Sequence, residues 1–333
     1  MAITIKQVAS AAGLSKSTIS KYVNGGNVEA KNRAVIEKVI AELGFTPNLI
    51  AKGLKTSRTY TVGVLIPKIS DVFSATVVEA MEKVLHQSGY GVIACGYESG
   101  REIFREKLRF LVSKMIDSLV VFPGGITAED IILPDKRKIP VVLVDRPLQG
   151  FAADTVMTDN AGGGRQAIEY LVKKGHRKIA VLSGSKTSFT SSERLAGCIR
   201  AFSDNGITGY EDYVYYGVSS FESGFENMEK VLRQGRATAV FATNYYITFG
   251  ALNALNAAGL AVPDDLSFIG FDNHDLYKLF KVPLTTVSQD IAGLGITAAH
   301  TVLRRVTGDN GGFPESLYLG TGLVAGGSVK DIG

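Results

Sequence analysis

The segment Thr4-Ile-Lys-Gln-Val-Ala-Ser-Ala-Ala-Gly-Leu-Ser-Lys-Ser-Thr-Ile-Ser-Lys-Tyr-Val23 spells two short amphipathic helices and the corner between them. Thr4 caps the first, whose apolar residues Ile5, Val8, Ala9 and Ala12 fall on one face. Gly13 breaks it where the chain needs positive φ, and Leu14 plugs the angle to the next helix. Ser15 caps the second helix, in which Ile19 and Val23 face inward while Lys16, Ser17, Ser20 and Lys21 face out. Those outward residues are hydrogen-bond donors at a helix start, the set that reaches base edges and phosphates in a major groove. A third helix from about Lys31 to Leu43, apolar at Val35, Ile36, Val39, Ile40 and Leu43, closes a small core, and Gly44 stops it.

Charge agrees with that reading. The 333-residue chain has a net charge of +4, but residues 1–60 hold nine Lys and Arg against three Glu, and the remainder is slightly acidic. A basic head on a near-neutral body is the electrostatic footprint of a nucleic-acid binder. Hydrophobic residues make up 45% and charged residues 20%, as in a globular protein. No apolar run approaches the ~18 residues of a membrane span. Lys6, Gln7 and Ser10 disqualify the N-terminus as a secretory signal, so a cytoplasmic protein is expected. Cys95 and Cys198, in apolar surroundings, read as buried thiols in a reducing compartment.

Beyond Tyr60, apolar runs alternate with amphipathic stretches. Strands are expected at Val62–Ile66, Gly91–Cys95, Ser118–Phe122, Val141–Val144 and Thr155–Thr158, with helices at Phe73–Gln87 and Glu102–Lys114. The cycle restarts with Lys178–Leu182, Glu193–Asn205, Tyr213–Tyr216, Glu222–Arg233, Ala239–Ala242, Ile247–Ala258 and Leu266–Gly270. Such alternation implies two doubly wound lobes built on parallel sheets, with ligands at the C-terminal ends of the strands. Polar residues just past strands are therefore candidates: Asp71 and Ser74 with Phe73, Asp145 and Arg146, Asn244, Asp272 and Gln289, together with Arg194 opening a helix. Arg offers a fork of donors, Asp accepts and Asn does both, which suits a polyol.

No catalytic, metal or cofactor site is expected. His86, His176, His274 and His300 lack metal-ligand spacing and no nucleophile elbow occurs. His176 reads as a structural hydrogen-bonding residue, and only His274 adjoins the cleft. Gly162-Gly-Gly164 lacks the lysine of a phosphate loop and reads as a helix start packed tightly against a strand.

The whole chain resembles the LacI/GalR family of bacterial transcription regulators. The motifs are Thr4 to Ser15, Ser17-Thr-Ile-Ser20 and Glu42-Leu-Gly-Phe-Thr-Pro-Asn48 in the head. In the body they are Val62-Gly-Val-Leu-Ile-Pro67, Val144-Asp-Arg-Pro147, Gly175-His-Arg-Lys-Ile-Ala180, Glu193-Arg-Leu-Ala-Gly197, Phe221-Glu-Ser-Gly224, Ile269-Gly-Phe-Asp-Asn273 and Pro283-Leu-Thr-Thr-Val287. The resemblance implies an all-α helix-turn-helix domain at 1–46, a hinge helix and linker at 47–59, and a two-lobed α/β core like the periplasmic sugar-binding proteins at 60–333. Lobe 1 would take about 60–159 and 289–316 and lobe 2 about 160–288 and 317–333, with crossings near Asp159, Gln289 and Leu319.

It also implies a homodimeric repressor on a palindromic double-stranded operator. Contacts would come from Thr4, Ser15, Lys16, Ser17, Thr18, Ser20, Lys21 and Asn24. In the segment Pro47–Thr56, Leu54, flanked by Ala51 and Lys55, would wedge into the minor groove from paired hinges. In the family, positions matching Arg194 and Asp272 hold a small-molecule effector, commonly a sugar, with aromatics such as Phe73 stacking on it. Control by a partner protein or by a nucleobase-like ligand are the alternatives. Departures are a shorter loop after Val23, Lys21 in place of arginine, Gly53 in place of serine, and Tyr245-Tyr246 where relatives carry an acidic residue.

Overall fold

In the head, Thr4 and Gln7 form a reciprocal capping box that starts α1 (Ile5–Ala12). Gly13, at φ 62°, turns the chain. Ser15 Oγ then accepts the Thr18 amide at 3.1 Å and starts α2 (Lys16–Val23). α3 (Ala30–Leu43) ends at Gly44. Val8, Ala9, Ile19, Ile36, Val39 and Phe45 form the buried centre. Val35, expected inside, is 38% exposed, because the inner face of α3 is set by Ile36 and Val39 one position on. The computed structural model describes residues 3–23, 26–45, 58–98, 100–131, 139–273 and 275–333. It separates into two units, Met1–Tyr60 and Thr61–Gly333.

The body is laid on two sheets. The first takes β1 (Thr61–Ile66), α4 (Val72–Gln87), β2 (Gly91–Gly96), α5 (Arg101–Ser113), β3 (Ser118–Val121), β4 (Val141–Val144) and β5 (Asp154–Thr158). The second takes α6 (Asn160–Lys173), β6 (Ile179–Ser183), α7 (Phe189–Asp204), β7 (Val214–Tyr216), α8 (Phe221–Gln234), β8 (Ala239–Ala242), α9 (Tyr245–Ala257), β9 (Ser267–Phe271) and β10 (Thr285–Gln289). The chain then returns to the first sheet through α10 (Ile291–Val306) and β11 (Ser316–Leu319), and ends its strand work in the second with β12 (Thr321–Val324).

Among the described residues the strand orders are β11-β5-β4-β3-β1-β2 and β12-β10-β9-β8-β6-β7. The pairings are parallel except β12 on β10. β3, β4, β5, β6, β8 and β9 are buried along their whole length, as sheets covered by helices on both faces require. The passages between sheets fall at Asp159, Asp290 and Gly320, so each lobe is assembled from separated stretches. Arg305 near the end of α10 clamps Asp154 of β5 with bonds of 2.7 and 2.8 Å, fastening the returning helix to the first sheet.

Several elements start away from their expected places. α7 begins at Phe189, not Glu193: the Ser/Thr-rich run Thr190-Ser-Ser192 reads as a loop but forms the first helical turn. Arg194 therefore lies inside the helix rather than opening it. The crossing of α6 and α7 explains the glycines. A Cβ on Gly163 would stand 2.9 Å from the Phe271 ring, so that residue packs on the second sheet. A Cβ on Gly164 would stand 2.0 Å from the Arg194 carbonyl oxygen, and one on Gly197 1.9 Å from that of Ala161. Gly162-Gly-Gly164 thus packs on a helix as well as on strands, and this close crossing sets the depth of Arg194. Cys198 is buried, with its thiol pKa pushed up by burial, whereas Cys95 is only half-buried. No helix among the described residues is long and apolar enough to cross a membrane.

His176 is buried between Thr238 Oγ1 at 3.0 Å and the Lys330 carbonyl at 3.1 Å, tying the C-terminal segment to the second sheet. Burial lowers its pKa from 6.5. The unfolded chain then takes up the proton first as pH falls, so this contribution to stability is whole above pH 6.5 and is lost below it, down to the pKa of the buried ring. Urea unfolding at pH 7.5 and 5.5 should show a drop in midpoint that His176→Gln reduces; equal drops in both proteins would count against it. Gly164→Ala should destabilise by about 1–3 kcal/mol, because its new methyl meets backbone rather than a movable side chain. A urea midpoint unchanged from the parent would refute the close crossing.

Candidate functional site

On the head, Lys16, Ser17 and Lys21 are exposed on α2 while Thr18 and Ser20 are half-buried. Ser15 Oγ lies 2.7 Å from Ser17 Oγ and 2.8 Å from Thr18 Oγ1, so these three hydroxyls share one cluster around the cap. The Thr4 side chain is likewise occupied by its capping box. Lys16 and Lys21 remain as the long cationic arms of this helix. Tyr22, absent from the sequence-based candidates, braces α2 on α3 by donating to Glu37 Oε1 at 3.1 Å. Asn24 and the segment bearing Ala51, Leu54 and Lys55 lie outside the described residues, as does His274.

In the body, a cavity of about 580 Å³ lies over the C-terminal ends of the strands. All nine candidates line it: Asp71, Phe73, Ser74, Asp145, Arg146, Arg194, Asn244, Asp272 and Gln289. The two sheets contribute matching corners. Asp145 directly follows β4 at φ 77°, its amide donating to the Val156 carbonyl at 2.9 Å. Asp272 directly follows β9 at φ 71°, its amide donating to the Val287 carbonyl at 2.8 Å. Left-handed backbone is unusual for a residue with a side chain, and in each lobe it re-aims a carboxylate off the end of a strand.

Arg194 is the centre of the floor. It is 6% exposed, donates from Nε to Asn160 Oδ1 at 2.7 Å and from Nη1 to the Thr243 carbonyl at 2.6 Å, and stacks 3.6 Å over the Phe271 ring. Burial lowers its pKa and the nearby carboxylates of Asp272 and Asp145 oppose that. Asp272 is pushed up by burial and held back chiefly by Arg194. Gln289 donates from Nε2 to Asp272 and accepts from Thr158 Oγ1 at 2.6 Å; Asn160 Nδ2 donates to the Thr158 carbonyl at 3.2 Å. The floor is thus a connected polar network anchored at two of the passages between sheets, near residues 159 and 290.

The rim differs in kind. Asp71 caps α4, accepting from the Ser74 amide and hydroxyl at 2.9 and 2.7 Å, and also accepts from Tyr245 Oη at 2.9 Å. Asp71 belongs to the first sheet's lobe and Tyr245 to the second's, so this bond bridges the cleft. Asn244 Oδ1 caps α9, accepting from the Tyr246 amide at 2.9 Å. Arg146 is clamped on Asp145, with Nε–Oδ2 at 2.9 Å. Thr190, Ser191, Ser220, Phe221 and Glu222 also line the cavity and were not among the candidates. The signals for them were the Ser/Thr density of 187–192 and 219–220 and the motif Phe221-Glu-Ser-Gly224.

Comparison with known proteins follows the same two-part division. Residues 4–48 match the model of the bacterial regulatory proteins, lacI family, and residues 168–329 that of the periplasmic binding protein-like domain. The HTH-type transcriptional repressor PurR of Actinobacillus pleuropneumoniae serotype 3 (strain JL03) is 30% identical over 332 residues, 99% of each chain. The lac repressor dimer bound to operator and the anti-inducer ONPF superposes with a TM-score of 0.84 at 27% identity, covering 99% of this chain and 100% of that one. A complex of the transcriptional regulator CelR with cellobiose gives 0.73 at 29% identity, covering 98% and 99%. From its helix-turn-helix head through its two-sheet body, the chain belongs to the lacI family of bacterial regulatory proteins.

Proposed function

We propose that this chain is a sequence-specific repressor whose hold on a palindromic operator is set by a small neutral polyol, a sugar or sugar derivative, bound between the two sheets of the body. The observation that carries the ligand reading is the Arg194 fork beside Asp272 at the floor of a cavity rimmed with hydroxyls and aromatic rings. Three cations, Lys68, Arg146 and Arg194, face four carboxylates, Asp71, Asp145, Glu222 and Asp272, so nothing there favours an anion. Neutral hydroxyls, each donor and acceptor at once, satisfy such a mixed lining. The CelR neighbour carries cellobiose, in keeping with this choice. A planar nucleobase is a second reading, supported by Phe73, Phe221, Tyr245 and Tyr246 around one cavity.

On DNA, two copies present their α2 helices to successive major grooves, Lys16 and Lys21 meeting phosphates and base edges and the paired Leu54 side chains entering the minor groove. Effector binding draws the lobes together around Arg194 and Asp272, and the change of lobe angle governs whether the hinges pair. Two sites with two states coupled in this way constitute allostery in the thermodynamic sense.

Fluorescence anisotropy on random palindromic duplexes should yield a preferred site. Lys16→Ala and Lys21→Ala should each lower the slope of log affinity against log salt by about one. Sequence-blind binding that survives Lys16→Ala combined with Leu54→Ala would sink the proposal. A thermal-shift screen of sugars, sugar acids and nucleobases should give hits among the sugars. A response confined to nucleobases would move the reading to the second class. Tyr245→Phe, which removes the hydrogen bond to the Asp71 carboxylate, should weaken effector binding by about 10- to 100-fold, the worth of one hydrogen bond to a charged group. Calorimetry showing unchanged affinity would deny that this bridge favours the closed cleft.

A further inference from the structure

The last turn of α2 is fastened twice, and both ties converge on Lys21. Tyr22 Oη donates across the head to Glu37 Oε1 of α3 at 3.1 Å. Arg33, one turn before Glu37 on α3, places its guanidinium 6.0 Å from the centre of the same ring. Burial raises the Tyr22 pKa and the bond to Glu37 adds to that, so the phenol keeps its proton and stays the donor. The second tie comes from the chain that follows the helix. The Gly26 amide donates to the Lys21 carbonyl at 2.8 Å. A Cβ on Gly26 would stand 2.7 Å from Lys21 Cγ and 2.9 Å from that carbonyl oxygen, so the glycine lies directly against the lysine stem.

Lysine is a point donor on a stem of several rotors, and ordering that stem costs entropy. A mobile ammonium therefore settles on phosphates, which line the whole groove, rather than on one base edge. Lys16, exposed in the first turn of α2 with no described residue bonded to it, fits that description. Lys21 does not, because the root of its stem is packed and the turn that carries it is braced on α3. We propose that Tyr22 and Gly26 are positioning residues that aim Lys21 at one base pair of the operator. Lys21 then carries sequence preference, and Lys16, on the same helix, carries affinity. This inference rests on the DNA-binding reading above and divides the labour within it.

The test uses the full chain and the palindrome selected by anisotropy, with each base pair of the half-site changed singly. Lys21→Ala should level discrimination at one base pair, whereas Lys16→Ala should weaken all the sites alike. Tyr22→Phe keeps the ring and removes only the hydroxyl. It should lower discrimination at the Lys21 base pair by about five- to tenfold, a part of what one base contact is worth. The other positions and the salt slope should stay as in the parent. Glu37→Ala should repeat that pattern, and Glu37→Gln, which keeps an acceptor, should stay near the parent. Tyr22→Phe combined with Glu37→Ala should lose no more than either change alone. Gly26→Ala, which displaces the stem, should act on the same base pair. A loss spread evenly over all base pairs, or no loss, overturns the role of the residue changed. Additive losses in the double variant overturn the brace, and Lys21→Ala that alters no base pair overturns the whole inference; each leaves the DNA reading in place. Failure to select any palindrome overturns the DNA reading and this inference together.

Discussion

A guanidinium withdrawn from water must be compensated on every side, and Arg194 is compensated from elements far apart in sequence. Its donors go to Asn160 at the start of α6 and to the carbonyl of Thr243 beyond β8. Its face lies on Phe271 at the end of β9, and its charge faces Asp272. Burying an ion pair without such company costs several kcal/mol per ion, so each of these groups is constrained by the others. The glycine crossing of α6 and α7 follows from the same demand. Unless the two backbones meet at Gly164 and Gly197, Arg194 stands too high to reach its partners. The second lobe is in this sense arranged around one side chain.

That network also extends to the passages between the sheets. Thr158 and Asn160 flank one passage between the sheets, and Gln289 ends the strand before another. The network around Arg194 and Asp272 therefore reaches residues at the points where the chain passes between the lobes. The Asp71–Tyr245 bond works from the opposite side, holding the rims rather than the floor. Two-state behaviour needs such opposed, discrete contacts, since packed lobes do not deform continuously.

Much of this was legible in the linear sequence, and the reasons differ by region. Helix ends in the head are written in local chemistry: Thr4, Gly13, Ser15 and Gly44 each act within a few residues of where they stand. The buried strands announce themselves as apolar runs, and a polar residue just past such a run falls into the cleft because parallel strands all point the same way. That rule gathered seven polar residues spread from 71 to 289 into one cavity, where Phe73 and Arg194 join them. Long-range geometry was not legible. Phe189, Thr190 and Ser191 read as loop because serine and threonine compete with the helix backbone, and only packing on α6 makes them helical. The last passage between the sheets was expected near Leu319 through the family resemblance alone, and nothing local tells that Tyr245 reaches Asp71 across 174 positions of chain.

The passages between sheets also bear on how the protein comes into being. The head is complete once residue 45 has been made, since its core closes on Phe45. The body is not: β11 and β12, the edge strands of the two sheets, are made last and almost together, at 316–324. During synthesis a DNA-reading head is therefore present for the whole period in which no finished sensor exists to govern it. A ribosome that stalls before residue 316 leaves both lobes open at once, with exposed strand edges on two sheets. The interleaving of the two lobes also makes their completion a single event.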